Sequence, residues 1–166
     1  MKKGSFSPYL PEVGTITHIE TLSSTEKLFR IEIGRDLDHV PGQFVAVSLF
    51  GIGEAPISIS SSPTQKGFFE LAIRKVGLLT TALHQLEVGS KMGIRGPFGN
   101  GFPLDVLSGK DLLLVAGGLG IIPLRSMIRY AVDRRRDFGR VILLLGCKTP
   151  RDLLFAEEYA AWVEWA

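Results

Sequence analysis

Over the first hundred residues, apolar and polar positions alternate in short runs separated by turn residues. Gly14–Glu20 and Lys27–Ile33 show the period-2 pattern of strands with one buried face. Phe44–Leu49 follows Pro41-Gly42, Ile57–Ser60 alternates again, and Phe68–Arg74 follows a turn containing Pro63. Lys91–Arg95 reads as a last strand, and one helix is expected before it over Thr80–Leu86. Many short strands at even spacing predict a small, closed, antiparallel six-stranded barrel.

After Pro103 the pattern changes. Asp111–Ala116 and Val141–Leu145 are continuous apolar runs, as expected of parallel strands buried on both faces. Helices are expected over Ile122–Arg135 and Asp152–Trp165. This β-α-β-α order is the opening portion of a parallel nucleotide-binding α/β sheet, which normally has about five or six strands. The chain therefore reads as cut off within that fold, leaving Trp162 and Trp165 exposed. The expected division is a barrel domain over residues 1–105 and a partial α/β domain over 106–166.

Composition narrows the functional classes. The 166 residues are 45% apolar and 22% charged, enough for a sizeable core. The net charge of +2 is too small and dispersed for a nucleic-acid surface. Met1–Gly14 lacks the apolar segment of a secretory signal, and the longest apolar stretch, Leu112–Leu124, falls short of the roughly 18 residues of a membrane span. A soluble, cytoplasmic protein is expected. The single cysteine, Cys147, excludes an internal disulfide framework. His18, His39 and His84 have no ligand spacing, and no metal site is expected. No nucleophile–base set and no paired carboxylates are visible, so no side chain is assigned as catalytic.

Three segments carry candidate chemistry. Gly117-Gly118-Leu119-Gly120-Ile121-Ile122-Pro123 lies between a buried strand and a helix, where backbone amides and the helix dipole suit a diphosphate. A plain tight turn is the alternative. Gly77-Leu78-Leu79-Thr80 is a second strand–helix junction, with Thr80 placed to cap the helix. Arg74 and Lys75 stand just upstream, as anion partners or as an exposed strand end. At Ala55-Pro56-Ile57-Ser58 a flat heteroaromatic ring could lie on Ile57 with Ser58 at its polar edge. The same residues also read as a serine-rich strand end.

Taken in order, these segments resemble the ferredoxin–NADP reductase superfamily. The resemblance is strongest to its multisubunit branch of dihydroorotate dehydrogenase electron-transfer, sulfhydrogenase gamma and anaerobic sulfite reductase B subunits. Ala55-Pro56-Ile57-Ser58 is similar to that family's Arg-x-Tyr-Ser flavin motif. Ala72-Ile73-Arg74 matches the strand along the FAD, and Gly77 through Leu79 to Thr80 matches the turn on the FAD diphosphate. Gly96-Pro97-Phe98-Gly99-Asn100-Gly101-Phe102-Pro103 resembles a segment common in the branch. Gly117, Gly118, Gly120 and Pro123 match the loop receiving the NAD(P) diphosphate.

The resemblance implies an FAD-dependent oxidoreductase subunit that uses NAD(P)H and serves iron–sulfur protein subunits of a larger redox complex. The alternative is a non-catalytic flavin-binding or assembly subunit, or a fragment of one. Two departures stand out. Ala55 and Ile57 replace the motif's arginine and aromatic residue. The cysteines that hold a 2Fe–2S cluster in that branch are absent from these 166 residues, and one cysteine cannot replace four.

Overall fold

The computed structural model describes residues 9–164. Six strands form one antiparallel sheet: β1 (Glu12–Thr21), β2 (Glu26–Glu32), β3 (Phe44–Leu49), β4 (Gly53–Ser58), β5 (Phe69–Arg74) and β6 (Lys91–Phe98). Their spatial order is β4-β3-β6-β1-β2-β5. The two outer strands then meet. Ile59, just past β4, bridges Leu71 of β5, and the Ser60 amide donates to the Glu70 carbonyl at 2.9 Å. The sheet thus closes into the expected six-stranded barrel and leaves no long open edge.

Inward-facing residues of alternate positions fill the barrel: Ile16, Phe29, Ile31, Val45, Val47, Leu71, Ile73 and Ile94 are all fully buried. The helix α1 (Leu78–Leu83) adds Leu79 and Leu83 to this core.

A short helix, α2 (Leu104–Leu107), leads to the second fold. There β7 (Leu112–Gly117) and β8 (Val141–Gly146) pair in parallel, from Leu112 opposite Val141 to Gly117 opposite Gly146. They are joined by α3 (Ile121–Asp133) and followed by α4 (Tyr159–Glu164). The two folds share an apolar seam in which Leu28 and Ala72 of the barrel pack with Ala116, Ile122, Leu154 and Phe155.

Several expectations need correction. β4 begins at Gly53, four residues before the alternation at Ile57, because it pairs with β3 from Leu49 opposite Gly53 onward. Pro56 is tolerated because β4 lies at an end of the sheet order. α1 starts at Leu78 with Gly77 at its N-cap, so Thr80 lies inside the helix. The long C-terminal helix is replaced by 3-10 turns at Pro150–Asp152 and Ala156–Glu158 and the short α4. The interruption is Phe155, whose backbone is left-handed (φ 61°) and whose ring is buried in the seam. Trp162 is buried as well, in the same cluster and against Tyr159, while Trp165 lies outside the described residues. The parallel strands are covered on one face only: Leu113, Val115, Ile142 and Leu144 are exposed. No helix among the described residues is long and apolar enough to cross a membrane.

Candidate functional site

The C-terminal ends of parallel strands are where open α/β sheets present backbone to ligands. In this chain those ends face the barrel rim. Between them lies a cleft of about 670 Å³, walled by Thr25, Arg74, Lys75 and Val76 on the barrel side. Gly117, Gly118, Gly146, Cys147, Lys148 and Asp152 form the opposite wall. The cleft therefore joins four separate stretches of the chain, at residues 25, 74–76, 117–118 and 146–152. A separate hollow of about 280 Å³ lies under α3 and β8, lined mostly by aliphatic and aromatic side chains including Ile128, Leu143 and Trp162. It carries no convergent polar groups.

On the sheet wall, Gly117 ends β7 and Gly118 takes a positive φ of 50°. That conformation costs an ordinary residue about 1–2 kcal/mol. A side chain at Gly117 or Gly118 would meet no protein atom within 4 Å, so both positions look into open space. Gly120 is the N-cap of α3, and Pro123 lies in its first turn, where a missing N–H leaves no helical bond unmade.

On the barrel wall, Arg74 at the end of β5 is ion-paired to Glu26. Burial pushes the Glu26 carboxyl up, but hydrogen bonds from Ser23, Arg74 and Thr25 outweigh it and leave the group below the usual range. It is thus a carboxylate at neutral pH, and Arg74 presents a partly neutralised charge. Lys75 and Lys148 bring further positive charge from the two walls.

The turn beside Arg74 is built by Thr80. Its hydroxyl accepts from the amides of Val76 and Gly77, both at 2.9 Å, and donates to the Gly77 carbonyl at 3.2 Å. Those two amides are therefore engaged. The next amides, of Leu78 and Leu79, head α1 with no acceptor inside the helix.

The remaining candidates sit differently. Ala72 and Ile73 are buried, Ala72 in the seam and Ile73 in the barrel core, and His84 Nε2 lies 2.8 Å from the Ile73 carbonyl. Neither residue lines the cleft. Ala55 and Ile57 pack partly against the barrel core, Pro56 is exposed, and Ser58 is half-buried. α1 packs against β3 and β4, and Ala55–Ser58 stay outside the wall of the cleft.

Gly146 and Cys147 stand at the ligand-binding edge that their position after a parallel strand suggests, but Cys147 is exposed in the cleft and not a buried thiol, and sequence reasoning missed Lys148 beside them. It also missed Glu70, Arg125 and Glu158, described below. Among the described residues no group of three or more metal-ligating side chains comes together.

Comparison with known proteins matches each of the two folds to a family model. Residues 13–102 match the oxidoreductase FAD-binding domain and residues 114–166 the oxidoreductase NAD-binding domain. The chain is 45% identical over 160 residues to sulfhydrogenase 1 subunit gamma of Pyrococcus furiosus, covering 93% of this chain and 55% of that protein. It is 35% identical over 151 residues to a probable dihydroorotate dehydrogenase B (NAD(+)) electron transfer subunit of Methanocella arvoryzae, covering 91% and 54%. It thus spans about half the length of these curated relatives. Among solved structures, ferredoxin–NADP+ reductase from Plasmodium falciparum shares the fold, with a TM-score of 0.83 at 16% identity over 98% of this chain and 68% of that one. With the FAD-binding model matched over more than half of its residues, the chain belongs to the family of FAD-binding oxidoreductase domains joined to an NAD-binding domain.

Proposed function

We propose that this chain is an electron-transfer flavoprotein subunit. In this reading it binds FAD on the barrel, meets NAD(P)H at the glycine turn, and passes electrons to iron–sulfur protein subunits. The observation that carries this reading is the cleft itself, in which the barrel rim at Arg74 faces the open backbone of Gly117 and Gly118.

The residues present fit a dinucleotide on each wall. The Leu78 and Leu79 amides, with Arg74 and Lys75, would hold the FAD diphosphate. Ser58 and Ile57 would lie at its ring, and Gly117, Gly118 and Gly120 would hold the nicotinamide diphosphate. FAD, when bound, supplies the exchange between two-electron and one-electron transfer, and the protein supplies position and exclusion of water. No side chain need act as acid or base. With Ala55 and Ile57 in the flavin motif, the barrel lacks a cation and an aromatic ring there, and Arg74 with Lys75 carries the positive charge instead. The single cysteine cannot supply the four ligands of an iron–sulfur cluster within these 166 residues.

The test is the visible spectrum of the purified chain before and after addition of FAD. Near-stoichiometric FAD is expected. A colourless chain that fails to take up added FAD overturns the reading. Gly118→Asp should abolish binding of the nicotinamide nucleotide and leave FAD in place, since a carboxylate there repels a diphosphate. Unchanged nucleotide binding would remove that assignment.

The exposed face of β7 and β8 favours a second reading, a non-catalytic assembly subunit that docks through Leu113, Val115, Ile142 and Leu144. Diaphorase activity of the isolated chain with an artificial acceptor decides against it.

A further inference from the structure

Arg125 of α3 is one of the largest fully enclosed side chains in the molecule, 2% exposed, and it contributes nothing to the walls of the cleft. Its guanidinium lies where the two folds meet. Nη1 donates to Glu70 Oε2 of β5 at 2.9 Å and to the Ser60 carbonyl at 3.2 Å. Nε and Nη2 donate to Glu158 at 3.0 and 2.7 Å, and the Phe155 ring lies 4.6 Å below the guanidinium carbon. Glu70 is held from the other side by Arg30 of β2, 3.0 Å from Oε1. The neighbouring Ser126 hydroxyl donates to the Ser61 carbonyl at 2.6 Å. One carboxylate thus ties the barrel wall to the helix that starts at the glycine turn.

A buried ion pair is a poor device for stability alone, because apolar residues of similar volume often serve as well or better. The seam of Leu28, Ala72, Ala116 and Ile122 already supplies apolar cohesion. Apolar cohesion is non-directional and tolerates sliding. A forked guanidinium between two carboxylates accepts one arrangement.

The lever arms show what that arrangement controls. Glu70 and Arg74 are four residues apart on a strand, about 13 Å. Gly120 and Arg125 are five apart on a helix, about 8 Å. A rotation of about 5° between β5 and α3 would therefore shift the cleft walls by about 1 Å, a misplacement that can cost about a hundredfold in a transfer step.

We propose that Arg125 and Glu70 are positioning residues that fix the angle between the barrel rim and the glycine turn, and so the approach of the two nucleotides. The functional part of this proposal rests on the flavin–nicotinamide reading above; the geometric part does not.

The test uses the full chain with spin labels at Cys147 on the sheet side and at His18→Cys on the barrel, free of nucleotide. The wild-type pair should give one narrow distance distribution, and Glu70→Gln and Arg125→Lys should broaden it at least twofold. In FAD-loaded protein the same variants should bind FAD and NADH within about twofold of wild type, while flavin reduction at saturating NADH slows tenfold or more. A folded Glu70→Gln and Arg125→Lys with the wild-type distribution overturn the proposal, whatever the cofactor does. Should Glu70→Gln unfold, Glu158→Gln loosens the same guanidinium from its more exposed side, and an unchanged distribution there overturns the proposal equally. Failure of wild type to take up FAD counts against the flavin reading and leaves the distance result standing.

Discussion

In the barrel the four inner strands are paired on both sides, the two outer ones meet through the Ile59–Leu71 bridge, and alternate residues point inward, so Phe29, Ile31, Leu71 and Ile73 have no exposed surface to speak of. In the parallel pair, Leu112, Leu114 and Ala116 face α3 and the C-terminal segment, while Leu113 and Val115 on the reverse stand in the open. Both regions are built from similar aliphatic residues. Closure of the hydrogen-bonded ring, not hydrophobicity, decides which of them is self-sufficient. A parallel strand needs cover on both faces, and the described residues supply it on one.

The sharpest way to break this contrast is to remove apolar volume from each region in turn. Phe29→Ala in the barrel should cost about 3–5 kcal/mol in urea unfolding followed by circular dichroism. A loss below about 1 kcal/mol would mean that the barrel core relaxes as readily as a surface. Thr80→Ala comes next. It strips the amides of Val76 and Gly77 of their acceptor, and a lost cap of this kind costs about 1–2 kcal/mol. FAD affinity should fall with it.

A pH titration acts on the barrel through two histidines. Burial holds His39 below its usual proton affinity, its Nε2 3.0 Å from the Ser61 carbonyl, and His84 is lowered for the same leading reason. The unfolded chain therefore binds more protons than the folded one once pH drops below about 6.5. Their stabilising share is full above that value and is lost as pH falls through it. The melting temperature should decline from pH 7.5 to 5.5, and less so in His39→Gln. The smallest effect belongs to the open face: Leu144→Lys should change stability by no more than about 0.5 kcal/mol. A large loss would show that this face is covered in solution.

How much of this was legible in the sequence follows from what each signal measures. Alternation revealed the strands because one side of each faces the barrel core. It could not show that the reverse side of β5 is buried too, under α3, since Glu70 there reads as an ordinary solvent-facing polar residue. Arg125 in the helix read the same way, and no local pattern couples it to a strand 55 residues earlier. The C-terminal helix was misread because its apolar spacing suits a helix throughout. The break at Phe155 comes from a ring drawn into the seam under Arg125, which is tertiary packing. The glycine turn was legible because strand, glycines and helix are contiguous. The cleft was only half legible, because its other wall comes from elsewhere in the chain.

Both tryptophans of the chain, Trp162 and Trp165, fall after the last strand, and Trp162 is buried against Tyr159 at a ring distance of 5.2 Å. To ultraviolet light the molecule is therefore asymmetric. Indole emission watches the C-terminal segment alone, and the barrel stays dark. A yellow ligand in the cleft would quench that emission by energy transfer, so a single fluorimeter trace separates loosening of the C-terminal segment from loss of the ligand.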